Sequence, residues 1–270
     1  MENKMADELK PRTASINGNL WGAHARDWAE IQEGQCRAVY LAAFDRAGLG
    51  PTTTYLDVGC GAGMAAQIAA ERGAKVAGLD ASPSLLAIAR ERVRTAEFLV
   101  GELENLPFPD NTFDFVTGFN SLQYAGNPTI ALKETKRVAK PGALVLIMTW
   151  GEPAGMQAAA LVAALRPLMP APPAGAPGPF ALSDESALRA FAAAAGLEPI
   201  EIFDVASPWK YESLEVALRG LRSSGVAARA AANSSEESVN AAHEAALQPF
   251  RNADQGFVIQ ASFRCLLARA

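Results

Sequence analysis

Apolar and polar positions along the chain fall into three regimes. Between residues 51 and about 150, short apolar runs alternate with stretches of helical period. A short apolar strand reaches Asp57, and segments 74–79, 98–101, 113–116 and 143–149 read as further strands. Segments 64–72 and 82–94 read as helices. The second opens on Ser82 as N-cap, with Pro83 at the first helical position. Such alternation predicts a parallel sheet with right-handed crossovers. Residues 1–50 form a helical lead-in. Trp21, Ala25, Trp28 and Ile31 recur at helical spacing, Val39, Leu41, Ala42 and Phe44 follow in a second helix, and Leu49-Gly50-Pro51 ends it. Residues 1–18 are expected to fray.

Residues 151–270 have a different texture. Segment 156–169 is an Ala/Leu-rich helix with Pro167 near its end, and 170–179 is a Pro/Gly/Ala loop. Ser183 is expected to cap an amphipathic helix ending near Gly196, with Leu188, Phe191 and Ala195 on one face. A strand over 199–204, helices over 211–249 broken at 223–225 and 233–235, and a final strand over 258–268 complete the pattern.

Composition narrows the class. The 270 residues suffice for one α/β domain with insertions. The net charge of −5 comes without a basic cluster, which argues against a nucleic-acid partner. No run has membrane-spanning length, and the charged N-terminus lacks the apolar stretch of a secretory signal. Three widely spaced cysteines suit reduced thiols, so a cytoplasmic location is expected. Two histidines make a His-built metal site improbable, and none is expected.

The chemistry concentrates in Asp57-Val58-Gly59-Cys60-Gly61-Ala62-Gly63, a strand end, a tight turn and a helix start. Glycines permit positive φ and close approach of backbone to a ligand. The following helix would offer free N–H groups. A dinucleotide fingerprint would place a third glycine at residue 64, where Met64 stands. Asp80 closes the next strand, where a carboxylate can accept hydrogen bonds from both ribose hydroxyls. Cys60 is best read as a small side chain tucked into the turn.

The ordered segments YLDVGCGAG, VAGLDAS, VGELENLPFPDNTFDFV and RVAKPGALVLIM resemble the class I S-adenosylmethionine-dependent methyltransferases. The resemblance is to the small-molecule branch that includes the ubiquinone/menaquinone biosynthesis methyltransferases. It covers residues 54–149. It implies a Rossmann-like α/β fold: a seven-stranded, mostly parallel sheet with helices on both faces, one antiparallel edge strand and a helical lid. Residues 1–50 would then be a cap, 51–150 the cofactor-binding core and 151–270 the completion of the sheet.

By the same resemblance, Asp57 would orient the methionine amine of S-adenosylmethionine, while Gly59, Cys60 and Gly61 form its loop. Asp80 would hold the ribose, Ala81 and Ser82 would flank it, Glu102 would reach the adenine amine and the Leu103 N–H a ring nitrogen. Asn120 and Trp28 would complete the cofactor set. Trp21, Gln123, Tyr124, Trp150 and Trp209 are candidates for the substrate pocket.

Many relatives carry a histidine where Gln123-Tyr124 stand. The general base is therefore unassigned, with His24 and Tyr124 as weak candidates, and nothing is expected of His243. An activated methyl group needs mainly in-line orientation, worth roughly 7–11 kcal/mol of barrier. The expected function is methyl transfer to a small, partly apolar O- or N-acceptor, with S-adenosylhomocysteine as product. A non-catalytic S-adenosylmethionine-binding interaction protein and a nicotinamide-dependent oxidoreductase are the alternatives, and a macromolecular substrate is a weaker one.

Overall fold

The computed structural model describes residues 13–171 and 178–270. Most of the loop expected over 170–179 thus lies outside the described residues. Helix α1 (Ala14–Gly22) forms within the stretch expected to fray, because partners from the core hold it. Irregular helical turns follow over residues 25–36, and α2 (Arg37–Ala47) ends at Gly48, whose φ of 62° suits a residue without Cβ.

Strands β1 (Thr54–Val58), β2 (Lys75–Asp80), β3 (Glu97–Val100), β4 (Phe113–Phe119) and β5 (Ala139–Trp150) pair in parallel, in the order β3-β2-β1-β4-β5. Helices α3 (Met64–Glu71), α4 (Pro83–Arg92) and α5 (Pro128–Val138) are the crossovers. Alternation along the strands divides the interior. Tyr55, Phe115 and Leu146 pack against α2 and α3, while Leu56, Val116 and Val145 pack against α5 on the opposite face.

Beyond β5, the Ala/Leu-rich segment makes α6 (Ala158–Ala164), then a single 3₁₀ turn at Arg166–Leu168 around Pro167. Helix α7 (Glu185–Ala194) is capped by Asp184, which accepts the Ala187 N–H at 2.8 Å. Ser183, expected in that role, is buried and donates to the Trp150 carbonyl at 2.9 Å. Strand β6 (Glu198–Ala206) forms the sheet edge.

The segment expected as one last strand is two. Phe257–Ile259 (β8) pairs with β7 (Trp209–Tyr211) in a separate two-stranded sheet. Ser262–Arg269 (β9) then enters the main sheet antiparallel to both β5 and β6. The antiparallel strand expected at the edge therefore stands one place in from it, because β6 pairs on its outer side.

Between β7 and β8 lie α8 (Leu214–Arg222), α9 (Gly225–Asn233) and α10 (Glu236–Leu247). Ser213, Ser224 and Ser235 cap these helices, so the breaks expected at 223–225 and 233–235 are helix starts.

This insert packs against the N-terminal lead-in. Asp27 accepts from Arg219 at 2.6 Å, Tyr211 Oη donates to Gln32 at 2.7 Å, and Gln35 pairs with the Lys210 backbone at 3.0 Å. A Cβ on Gly225 would lie 2.5 Å from Trp21 Nε1. Gly225→Val should therefore push α9 off α1 and cost about 1–3 kcal/mol, read as a lowered thermal midpoint. An unchanged midpoint would show that the two helices separate freely.

Candidate functional site

The carboxyl ends of β1, β2 and β4 open into a cavity. Its floor is the turn after β1, where Gly59, Gly61 and Gly63 all have positive φ. Most N–H groups of this turn, that of Ala62 excepted, are consumed internally. Gly59 and Cys60 donate to the Leu79 carbonyl at 2.7 and 3.0 Å, Gly61 to Asp80 Oδ2 at 2.9 Å, and Gly63 to the Cys60 carbonyl at 3.0 Å. The first helical N–H, of Met64, goes to Glu33 Oε1 at 3.1 Å. The expectation of free amides aimed at a ligand is thus narrowed, because the turn folds down onto the end of β2 and five of its N–H groups are taken.

What remains on the turn is carbonyl oxygen. Among the described residues the Gly59 carbonyl accepts no hydrogen bond, and the Gly61 carbonyl only a weak one from Cys60 Sγ at 4.0 Å. Three carboxyls surround it. Asp57 is buried and accepts from Thr117 Oγ1 at 2.8 Å, and Tyr55 Oη lies 2.7 Å behind Thr117. Burial pushes the Asp57 carboxyl up to about 7, against the pull of Thr117, with Glu33 and Asp80 adding like charge. Burial also raises Glu33, whose carboxylate pairs with Arg92 at 2.5 Å, and Asp80, against the hydrogen bonds from Ser82 and Gly61. Of these acids Asp80 lines the cavity, Asp57 lies below it and Glu33 is paired with Arg92, so Asp80 and the turn carbonyls are what favour a cation at this end over a pyrophosphate.

Asp80 lines the cavity with both oxygens oriented, Oδ1 accepting the Ser82 N–H at 2.8 Å. Ala81 lines it as well, whereas Ser82 is fully buried as the α4 cap. One strand further out, Asp80 pairs with Val100. This places Gly101, Glu102, Leu103 and Glu104 along the cavity beside it. Glu102 accepts the N–H groups of Thr13 and Ala14 at 3.0–3.2 Å and so caps α1. Asn120 has left-handed backbone (φ 52°), lines the cavity and accepts from the Gln123 amide.

The roof is N-terminal. Thr13, Ala14, Asn17, Trp21 and Trp28 cover the cavity, with Tyr124 against Trp21 at 5.4 Å. Trp21 and Trp28 meet edge to face at 5.0 Å. The sequence alone gave no sign of the remaining wall, which Cys36, Tyr40, Phe119 and Met148 form. Apolar residues in a buried run carry no mark of facing a ligand.

Several expected residues lie elsewhere. No described residue beyond Met148 lines the cavity, so the insert expected as a lid backs the roof and does not cover the ligand space itself. Trp150 and Trp209 meet at a tilt, 5.8 Å apart, in a buried cluster where Phe263 stacks on Trp150, because β5, β7 and β9 converge there. Gln123 and Cys60 are off the wall, and Cys60 is buried beneath the turn. Asp57 is also off the wall, one layer below.

The two candidate bases stand differently. His24 is outside the cavity wall, 3.6 Å from Glu236. Tyr124 reaches the wall, but burial pushes its phenol up to about 12. His243 is buried in α10 and held down to about 4, neutral near pH 7.

Comparison with known proteins agrees with this geometry. Residues 56–147 match the methyltransferase domain family model. The malonyl-[acyl-carrier protein] O-methyltransferase of Serratia marcescens is 35% identical over 99 residues, 37% of this chain and 39% of the relative. The demethylmenaquinone methyltransferase of Renibacterium salmoninarum is 30% identical over 149 residues, 55% of this chain and 58% of the relative. The chain thus spans between about two fifths and three fifths of these relatives' lengths. The crystal structure of the YcgJ protein from Bacillus subtilis superposes with a TM-score of 0.55 at 19% identity, over 85% of this chain and 97% of that one, a likeness of fold. Through residues 56–147 the chain resembles the class I S-adenosylmethionine-dependent methyltransferases of the quinone-biosynthesis branch, a match that implies S-adenosylmethionine as cofactor.

Proposed function

We propose that the protein transfers a methyl group from S-adenosylmethionine to a small, partly apolar O- or N-acceptor. The observation that carries this reading is the inward turn of the loop amides, which leaves the Gly59 and Gly61 carbonyls and Asp80 at the ligand space, with Asp57 one layer below. A nicotinamide dinucleotide would bring a pyrophosphate to this negative floor. An amino-acid nucleoside brings an ammonium and, in the methyl donor, a sulfonium. The residues fit such a group. Asp80 stands where its carboxylate would accept from both hydroxyls of a ribose diol, the Gly59 and Gly61 carbonyls would take the ammonium, and Trp21, Trp28 and Tyr124 roof the nucleoside.

The bound cofactor supplies an already activated methyl group. The chain's own residues orient the acceptor and exclude water. Cys36, Tyr40, Phe119 and Met148 form the end of the wall away from Glu102, and this is the proposed acceptor subsite. Burial pushes the Cys36 thiol up to about 12 and the Tyr40 phenol well above its ordinary value, so both are neutral near pH 7. With no base in this wall, catalysis rests on in-line placement, and the favoured acceptor is an amine free base or a hydroxyl acidic enough to ionise in water. Of the relatives' names, demethylmenaquinone suits a small, partly apolar acceptor, while malonyl-[acyl-carrier protein] is a small acyl group carried on a protein, so the names do not choose among acceptors.

Transfer of labelled methyl from S-adenosylmethionine to a panel of phenols, small acids and amines tests this reading. Label should appear in at least one acceptor. A protein that binds the cofactor and labels none of the panel or a metabolite extract would be a binder and not an enzyme. Phe119→Ala should lower kcat/KM for that acceptor about tenfold or more while leaving S-adenosylhomocysteine affinity within about twofold. Equal loss in both would place Phe119 under the cofactor.

A further inference from the structure

A buried ion pair behind the cavity ties three parts of the chain together. Glu33, in the helical turns of the lead-in, is 3% exposed, and Arg92 is the last residue of α4. The Arg92 guanidinium donates to the Glu33 carboxylate, to the Ala62 carbonyl of the glycine turn at 2.9 Å and to the Ala29 carbonyl of the lead-in at 2.8 Å. Glu33 Oε1 in turn accepts the Met64 N–H at the start of α3. One side chain thus joins roof, floor and α4. Burying a charge pair carries a desolvation cost, and apolar side chains of the same volume often hold such a junction equally well. What the planar guanidinium adds is direction, toward three acceptors at once.

Those directions end beside the ligand space. Trp28 precedes Ala29 and Gly61 precedes Ala62, and Trp28 and Gly61 both line the cavity. A Cβ on Gly61 would lie 3.4 Å from Trp28 Nε1 and 3.7 Å from Glu33 Oε1, so indole and carboxylate face the same residue of the turn. Trp28 Nε1 is buried and has no partner among the described residues. No polar contact of its own fixes the indole, which packs among Ala62, Leu85 and Ile88. Its height over the turn follows from the backbone at Ala29, which Arg92 holds.

We propose that Arg92 is a positioning residue for the cofactor. Acting through Ala29 and Ala62, it sets the gap between the Trp28 indole and the glycine turn, and it is itself off the cavity wall. The proposal rests on the S-adenosylmethionine reading above and goes beyond it by naming the side chain that registers the roof on the floor. Lysine is no equivalent. Its ammonium can neutralise Glu33 but lacks the fork that spans Ala29 and Ala62 together.

The test is a double-variant cycle read by equilibrium binding of S-adenosylhomocysteine to the full chain. Arg92→Lys should lower affinity at least about fivefold, and Trp28→Ala about tenfold. The double variant should bind within about threefold of Trp28→Ala alone, because the effect of the lysine passes through the indole. A side chain that merely stabilises the fold would give losses that multiply. A further loss beyond threefold in the double variant, or a smaller effect of Arg92→Lys than fivefold, overturns the assignment. Circular dichroism melts show whether each variant folds. If Arg92→Lys does not, Glu33→Gln, which keeps an acceptor for Met64 and removes the ion pair, enters the same cycle with the same expected outcomes. Failure of the unaltered protein to bind S-adenosylhomocysteine would overturn the underlying cofactor reading itself.

Discussion

Asp80→Ala is expected to lower affinity for S-adenosylhomocysteine at least about 100-fold, with little change in secondary structure. Two effects combine. The carboxylate would accept both ribose hydroxyls, and charge-assisted hydrogen bonds of this kind contribute about 1.5–3 kcal/mol each. It also holds the site's shape, since Oδ2 anchors the Gly61 N–H and Oδ1 the Ser82 N–H. Alanine leaves those two amides without partners, so the glycine turn and the start of α4 lose their common tether. Asp80→Asn separates the contributions. The amide can accept one of the two backbone bonds, but its NH₂ faces the other donor, so an intermediate loss of about 10-fold or more is expected. Calorimetric titration reads both. Affinity within twofold of the unaltered protein for Asp80→Ala would remove Asp80 from ligand recognition.

The second large effect is in the ligand-free protein and concerns Asp57. Its carboxyl is 2% exposed and sits at about 7, compared with 3.8 for an ordinary aspartate. The native state therefore binds this proton more tightly than the unfolded chain does. That binding favours the fold fully below about pH 4, and the advantage is lost as pH rises through 7. Above pH 7 the fold carries a buried carboxylate that no cation neutralises directly. Asp57→Asn keeps an acceptor for Thr117 and removes that charge. At pH 8 it should be more stable than the unaltered protein by up to about 4 kcal/mol, with the difference vanishing near pH 4. Urea unfolding at the two pH values measures it.

A bound ammonium on the turn carbonyls would reverse the balance by stabilising the ionised form. Cofactor affinity of the unaltered protein should thus rise from pH 6 to pH 8, and the variant's should stay flatter. A variant less stable at pH 8 than at pH 4 by the same margin as the parent would show that Asp57 titrates normally.

Much of the core was legible before any coordinates. The alternation of apolar runs and helical stretches over 51–150 marks β1 to β5 and their crossovers, since strands buried on both faces need continuous apolar residues. Asp80, Ala81, Glu102, Leu103 and Asn120 all reach the cavity because motif spacing places them at strand ends, where an open α/β sheet presents its ligands.

What was not legible depends on contacts distant in sequence. The inward turn of the loop amides requires the Leu79 carbonyl and the Glu33 carboxylate, and Glu33 lies about thirty residues away with no local sign of its role. The aromatic character of Trp150 and Trp209 suits a pocket wall as well as a core, and only the convergence of β5, β7 and β9 decides for the core. Likewise the insert's apolar helices look like a lid until Gly225 meets Trp21 and Arg219 meets Asp27, which turns them into the support of an N-terminal roof. Within 258–268 the alternation continues through Gln260 and Ala261, so the change of sheet partner between β8 and β9 leaves no trace in hydrophobic pattern.

The floor of carbonyls and acids is the centre of this account, and competitive calorimetry with S-adenosylhomocysteine and NAD addresses it directly. The expected result is saturable heat with S-adenosylhomocysteine at one site per chain, unchanged when NAD is present in excess. Saturable binding of NAD that displaces S-adenosylhomocysteine, or heat from NAD alone, would contradict a floor built for a cation.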